Sequence, residues 1–233
     1  MDDENVLDFN FWPSFADLML ALVFILVLIL FFIGAVITAG TVNLSQVKEN
    51  QMKMVNVISN DYRVTPEKIS EDNIISIYSI STNGGGIKIQ NTPELQKITF
   101  GSDLLFQKNS ATLNLEKEQI LNSIGKAIKN NLSFIKEIQI QGHADMDRTE
   151  NTDYLYNVNL AARRAIQVYN YLWKIVGIEP AEHLMSVNSF GEFKPVLRLD
   201  DDKNYNQGRL EQDNTPELKK QNRRIEVLLF YRL

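Results

Sequence analysis

FIKEIQIQG (134–142) alternates apolar and polar side chains with a period of two, the pattern of a strand with one buried face. Just downstream a helical period takes over. Between Leu155 and Val176, Leu160, Ala165, Val168 and Leu172 recur near helical spacing. HLMSVNSFG (183–191) and RIEVLLFY (224–231) read as further strands. Upstream, ITF and LLF (98–106) read as strand, and Leu113 to Asn130 places Ile120, Ile124, Ala127 and Ile128 on one helical face. The resulting β-α-β-α-β-β order predicts a compact α+β domain with helices on one face of a sheet. Residues 198–221 are polar, carry the run Asp200-Asp201-Asp202, and are expected to form a loop.

Before this block, IISIYSIS (74–81) and IKIQ (87–90) flank Asn83-Gly84-Gly85-Gly86 and read as a hairpin. Thr65-Pro66 marks a break. Val47, Met54, Val55 and Ile58 fall at roughly helical spacing, which predicts a juxtamembrane helix acting as a soluble linker or as a dimer contact. Gly40 and Thr41 are expected to loosen the segment before it.

From Leu18 to Ile37 the chain has no charged residue, and about 20 apolar residues span a bilayer core. The stretch is too long for the apolar part of a signal peptide. Its leading residues are acidic (Asp2, Asp3, Glu4, Asp8) where a signal would be basic. It therefore reads as an uncleaved anchor that crosses the membrane once. The expected division is a cytoplasmic tail (1–10), a transmembrane helix (11–40), a partly helical linker (41–73) and a folded domain (74–233). About 170 residues after position 60 are enough to bury a core.

Composition narrows the function classes. There is no cysteine, which excludes disulfides and thiolate metal sites. The formal net charge is −5 with no basic stripe, which gives no support to a nucleic-acid partner. The two histidines lack metal-ligand spacing, and Gly84-Gly85-Gly86 lacks the lysine and helix of a phosphate loop, so an enzyme is not expected. Asp200 to Asp202 read as a solvated loop rather than a calcium site. Charge counting gives a conflicting topology signal: the first cation, Lys48, follows the membrane helix, which by itself favours a cytoplasmic domain.

LLFQKNSATL, GHADMD, NVNLAARRAIQVYNYL, NSFGEFKPV and NRRIEVLL occur in an order that resembles the OmpA-like peptidoglycan-binding domain, across residues 98–231. Ala144 and Ala161 depart from the Thr and Ser usual there, and the stretch from Asp145 to Asn157 is longer. The resemblance implies a ligand with the zwitterionic end of diaminopimelate. Asp145 would take its amine and Arg164 its carboxylate, since a guanidinium fork matches a carboxylate. Asn157 would hold the rest of the peptide. Arg223 joins the binding set, with Arg223 or Arg224 bracing the loop, while His143 reads as a packed loop residue. The competing reading of Asp145 and Arg164 is a surface ion pair between loop and helix.

FWPSFADLM (11–19) ahead of the apolar run resembles the MotB-type stator subunits, with wording nearest to the ZorB family of the Zorya anti-phage defence system. That resemblance implies an outward-facing domain, a homodimer, a surrounding ring of MotA-like or ZorA-like multi-span subunits, and H⁺ or Na⁺ as transported ion with no other cofactor. Asp17 would carry the ion, because ionisable groups in membrane segments are costly and mark ion pathways. A flagellar role, as a MotB-like flagellar stator subunit rather than in phage defence, is an alternative within this class, and two other readings stay open. Ser14-Phe15-Ala16-Asp17 fits a capping box, with Pro13 at a helix start and Trp12 at the interface, so Asp17 could be a cap. The whole chain could then be a passive tether from membrane to wall.

Overall fold

The computed structural model describes residues 11–72, 74–82, 85–114, 118–147, 155–199 and 201–232. The chain divides into two units at Ser45/Gln46.

The first helix, α1, runs from Trp12 to Asp61 without interruption, and its apolar part is long enough to cross a membrane. The expected loosening at Gly40 and Thr41 does not occur. A glycine inside a helix costs only about 1 kcal/mol relative to alanine. Here the hydroxyls turn back onto the helix: Thr38 Oγ1 donates to Gly34 O (2.8 Å) and Thr41 Oγ1 to Thr38 O (2.9 Å). The helix ends in a Schellman arrangement. Arg63 is left-handed (φ 53°), Val64 N–H reaches Ser59 O and Arg63 N–H reaches Asn60 O.

The second unit begins at Gln46, well before the expected boundary at residue 74, because the end of α1 belongs to its core. Met54, Val55 and Ile58 are fully buried there. A buried polar clamp fixes this segment to the sheet. Gln51 Nε2 donates to Thr92 O (2.8 Å), while Gln96 Nε2 donates to Gln51 O (3.0 Å) and Asn91 Oδ1 (2.9 Å). Tyr231 OH donates to Gln96 Oε1 (3.0 Å), and burial pushes that phenol well above its ordinary pKa.

The sheet has seven strands: β1 (Glu67–Glu71), β2 (Ser76–Thr82), β3 (Gly85–Asn91), β4 (Leu95–Gly101), β5 (Ile135–His143), β6 (Leu184–Gly191) and β7 (Arg224–Tyr231). Their spatial order is β1-β2-β3-β4-β7-β5-β6. Only β5 and β6 pair in parallel, joined through the crossover helix α3 (Tyr156–Lys174). The expected hairpin is present as β2–β3, with Ser76 opposite Asn91 and Thr82 opposite Gly85. From β4 onward the predicted β-α-β-α-β-β order holds, with α2 at Gln119–Lys129.

Two expectations fail locally. LLF (104–106) is not strand: β4 stops at Gly101, and Ser102–Leu104 form a 3₁₀ turn that buries Leu104 and Leu105. The expected loop 198–221 contains α4 (Gln207–Gln212) and α5 (Pro216–Asn222). Both are set by caps rather than by periodicity. Asn206 accepts from Arg209 N–H, Thr215 accepts from Leu218 N–H, and Pro216 opens α5. Strand β1 also lies in the expected linker; all five of its residues are exposed, so no alternation announces it.

Candidate functional site

Alternation along β5 sends Ile138 and Ile140 into the core and delivers the strand's last residues, Gly142 and His143, to the end of the sheet. A β-carbon on Gly142 would lie 2.1 Å from Ala161 O, so the helix backbone rests directly on this position. That close approach is what the glycine permits. Beyond it, Ala144 N–H donates to Gly191 O (2.8 Å), and the chain turns so that Asp145 is only 5% exposed.

Asp145 faces cations of the protein itself. Arg223 Nη1 donates to its Oδ2 at 2.5 Å, and Arg223 Nη2 reaches Asp103 Oδ2 at 3.4 Å. Burial lowers the Arg223 pKa, but the Asp145 hydrogen bond and Asp103 more than offset it, so the guanidinium sits above its usual value. Asp147 N–H donates to Asp145 Oδ1 (3.1 Å).

Arg164 projects from α3 and is 2% exposed. Of its five N–H groups, three have protein acceptors: Ser110 O (2.8 Å), Ser102 Oγ (3.2 Å) and Gln107 O (3.2 Å). The guanidinium also lies over the Phe106 ring, 5.5 Å from its centroid. Burial pulls its pKa down and Asp103 pulls it back; Arg223 and Asp145 act on it too, so the four charges form one cluster. The surface ion pair between Asp145 and Arg164 is therefore absent. Each is buried, and Asp145 pairs with Arg223 instead.

Asn157 does not point at open space. Its Nδ2 donates to Asp145 O (3.0 Å), so in the free chain it braces the acid loop. Arg223 also braces this loop, through the acid itself. Arg224 does something else: it pairs with Glu226 (2.7 Å) and donates to Lys194 O (3.2 Å) on the neighbouring segment. Burial raises the Glu226 carboxyl and the Arg224 guanidinium outweighs it, leaving the acid below its ordinary value. His143 is fully buried, stacked on Phe190 at 5.2 Å, with Nε2 3.7 Å from Glu226 Oε2. Burial and Arg224 push its pKa down to about 3, so it is neutral.

Asn222, which the motif marks as partly structural, heads a set of supports whose other members, Asn214 and Lys219, the motif does not mark. Asn222, fully buried, donates to Asp213 O (2.9 Å) and Asn214 Oδ1 (3.1 Å) and accepts from Val196 N–H (2.9 Å). Asn214 in turn accepts from Met146 N–H (3.2 Å), and Lys219 pairs with Asp147 at 2.6 Å. The α4–α5 segment thus clasps the acid loop. Asp103 likewise joins the site only through the fold. Most of the long stretch between Asp145 and Asn157, and Asp200 of the acidic run, fall outside the described residues. Among the described residues no group of three or more His, Asp or Glu is placed to hold a metal.

Asp17 lies in the second turn of α1. The first helical hydrogen bond runs from Phe15 N–H to Phe11 O (3.0 Å), and the first turn holds no acid. Ser14 is the third residue of the helix, so it is not the N-cap residue that a capping box with Asp17 would need.

Residues 105–209 match the OmpA family. The domain is OmpA-like. It is similar in fold to a MotB-like protein from Desulfovibrio vulgaris (16% identity, 82% of this chain and 94% of that one, TM-score 0.56). A periplasmic domain of Helicobacter pylori MotB is similar at 21% identity, covering 70% of this chain and 90% of that one, with a TM-score of 0.53. No curated protein matches by sequence.

Proposed function

We propose that this chain is a MotB-like stator subunit: a single membrane helix carrying an ion-binding acid, joined to a domain that holds peptidoglycan outside the inner membrane. The observation that carries it is Asp17 in the second turn of a membrane-length helix, on a chain whose C-terminal domain is OmpA-like. A carboxyl group at the edge of lipid is costly unless it works. Desolvation favours its neutral form, so it can take a proton or cation from one side and release it on the other. A single helix forms no conduit, so the reading requires a multi-span partner ring, MotA-like in kind, around two copies of this chain.

In the wall site, two acids and two guanidiniums (Asp103, Asp145, Arg164, Arg223) match a zwitterion. A ligand ammonium would replace Arg223 on Asp145, and the released Arg223 would join Arg164 in receiving the ligand carboxylate. Asn157 would hold the acid loop in place during that exchange. The likeness to MotB periplasmic domains supports the stator reading in general. The narrower assignment to a Zorya-type defence system rests on the wording of residues 11–19 and the short segment after the helix.

The test is Asp17→Asn in the complex purified with its multi-span partner. The complex should assemble and ion-coupled activity should vanish. Retained activity removes the carrier and leaves a passive tether, for which peptidoglycan co-sedimentation alone would persist.

A further inference from the structure

The sheet has a second face, opposite α2 and α3, and on it lies a cleft of about 320 Å³ that the wall site does not use. Lys88 (β3), Lys97 (β4), Arg224 (β7), Lys194 and Arg198 line it, with Glu226 as the only acid among the lining residues. None of Asp103, Asp145, Arg164 or Arg223 borders it. Five cations against one carboxylate is a strong local excess on a chain whose formal net charge is −5.

The register makes the excess costly for the free protein. Lys88 lies opposite Thr99 and Gln90 opposite Lys97, so the two lysines are diagonal neighbours on one sheet face. Like charges at that separation repel. No ion pair among the described residues engages either lysine. Glu226 is within electrostatic reach of Lys97 but is 6% exposed and directly bound to Arg224 at 2.7 Å, so its charge is shared. The buried Arg224–Glu226 pair forms a rigid polar floor, and Lys194 and Arg198 stand on the segment above it, each over an aromatic ring (Phe190 at 4.7 Å, Tyr205 at 4.4 Å).

We infer that this cleft binds a phosphate-bearing ligand with two or more negative charges. Lysine ammonium groups act as point charges toward phosphate oxygens. Cations converging from three strands and a loop exceed what one carboxylate ligand would neutralise. The site is independent of peptidoglycan binding and of Asp17.

Isothermal titration of the full chain in phosphatidylcholine nanodiscs tests this. Pyrophosphate probes a free phosphate source, glycerol 3-phosphate a lipid headgroup source, and acetate is the control. Saturable binding of either phosphate probe, about tenfold weaker for each lysine removed in Lys88→Ala and Lys97→Ala, is expected. The stronger of the two probes identifies the source. Co-sedimentation with peptidoglycan should be unchanged in both variants, which shows that they fold. No saturation by either phosphate probe, acetate binding of equal strength, or undiminished binding by the double variant would each overturn the proposal.

Discussion

Asp145 is gripped by Arg223, a residue 78 positions later in the chain, at 2.5 Å. The acid that the motif offers to a ligand amine is thus already satisfied by a guanidinium just after α5 and immediately before β7. Arg223→Ala should destabilise the domain by about 2 kcal/mol, because it strands a largely buried carboxylate while part of the pair remains solvated. Urea denaturation measures this, and a double-mutant cycle with Asp145→Asn should return a favourable coupling. A coupling near zero would mean the pair is incidental.

Arg164 is a second case in which one side chain holds the fold and belongs to the proposed wall site. Arg164→Ala leaves the carbonyls of Gln107 and Ser110 without their donor, and a loss of about 3 kcal/mol is expected together with loss of peptidoglycan co-sedimentation. Arg164→Lys keeps the charge but not the fork. It should recover most of the stability and little of the wall binding. Full recovery of both would reduce the residue to a simple cation.

His143 sets an acid limit. Its folded pKa, about 3, lies below its unfolded value near 6.5, so the unfolded chain binds the proton first. Stability is therefore intact above pH 6.5 and falls as pH drops, by up to about 1.4 kcal/mol per pH unit. Glu226, held below its ordinary value, adds a loss of the same sign only at pH below its unfolded range. Between pH 6.5 and 5 the slope should belong to His143. Urea midpoints across that window should flatten in His143→Gln; an unchanged slope assigns it elsewhere.

Gly142→Ala should be among the most damaging single-methyl changes in the domain. The new carbon would meet the Ala161 carbonyl at 2.1 Å, and backbone cannot rotate away as a side chain can. A loss of about 3 kcal/mol is expected, read as a drop in melting temperature of the full chain. Gly101→Ala, which has open space around it, serves as the tolerant control.

Gln96 anchors the end of α1 from the sheet. Gln96→Leu removes the donor to Gln51 O and the acceptor of Tyr231 OH, so buried polar groups lose their partners. Limited proteolysis should then cut within residues 46–61 at protease levels the parent chain resists. An unchanged digestion pattern would show that apolar packing of Met54, Val55 and Ile58 suffices alone.

Periodic elements were legible because burial imposes their period. FIKEIQIQG became β5 and the Leu155–Val176 pattern became α3, each with its apolar face inward. Elements without a buried stripe were not: β1 is wholly exposed, and α4 and α5 bury only Leu210 and Asn222. The motif singled out Asp145, Arg164, Asn157 and Arg223, and the fold brings these four together. It could not give their partners, since the bridge from Asp145 through Arg223 to Asp103 depends on segments far apart in sequence meeting in space. The capping pattern at Ser14 needs the helix start to be known, and Trp12 begins it too early for Ser14 to be the N-cap residue. The basic cleft was invisible for a similar reason: its lysines are scattered along the chain and converge only across β3, β4 and the segment after β6.

Strand β7 sits between β4 and β5 although it follows every other strand in the chain. Any shortened product that stops before it would leave two bare sheet edges facing each other. Sheet closure is therefore all or nothing with respect to synthesis: an interrupted polypeptide cannot complete the domain that a finished copy builds.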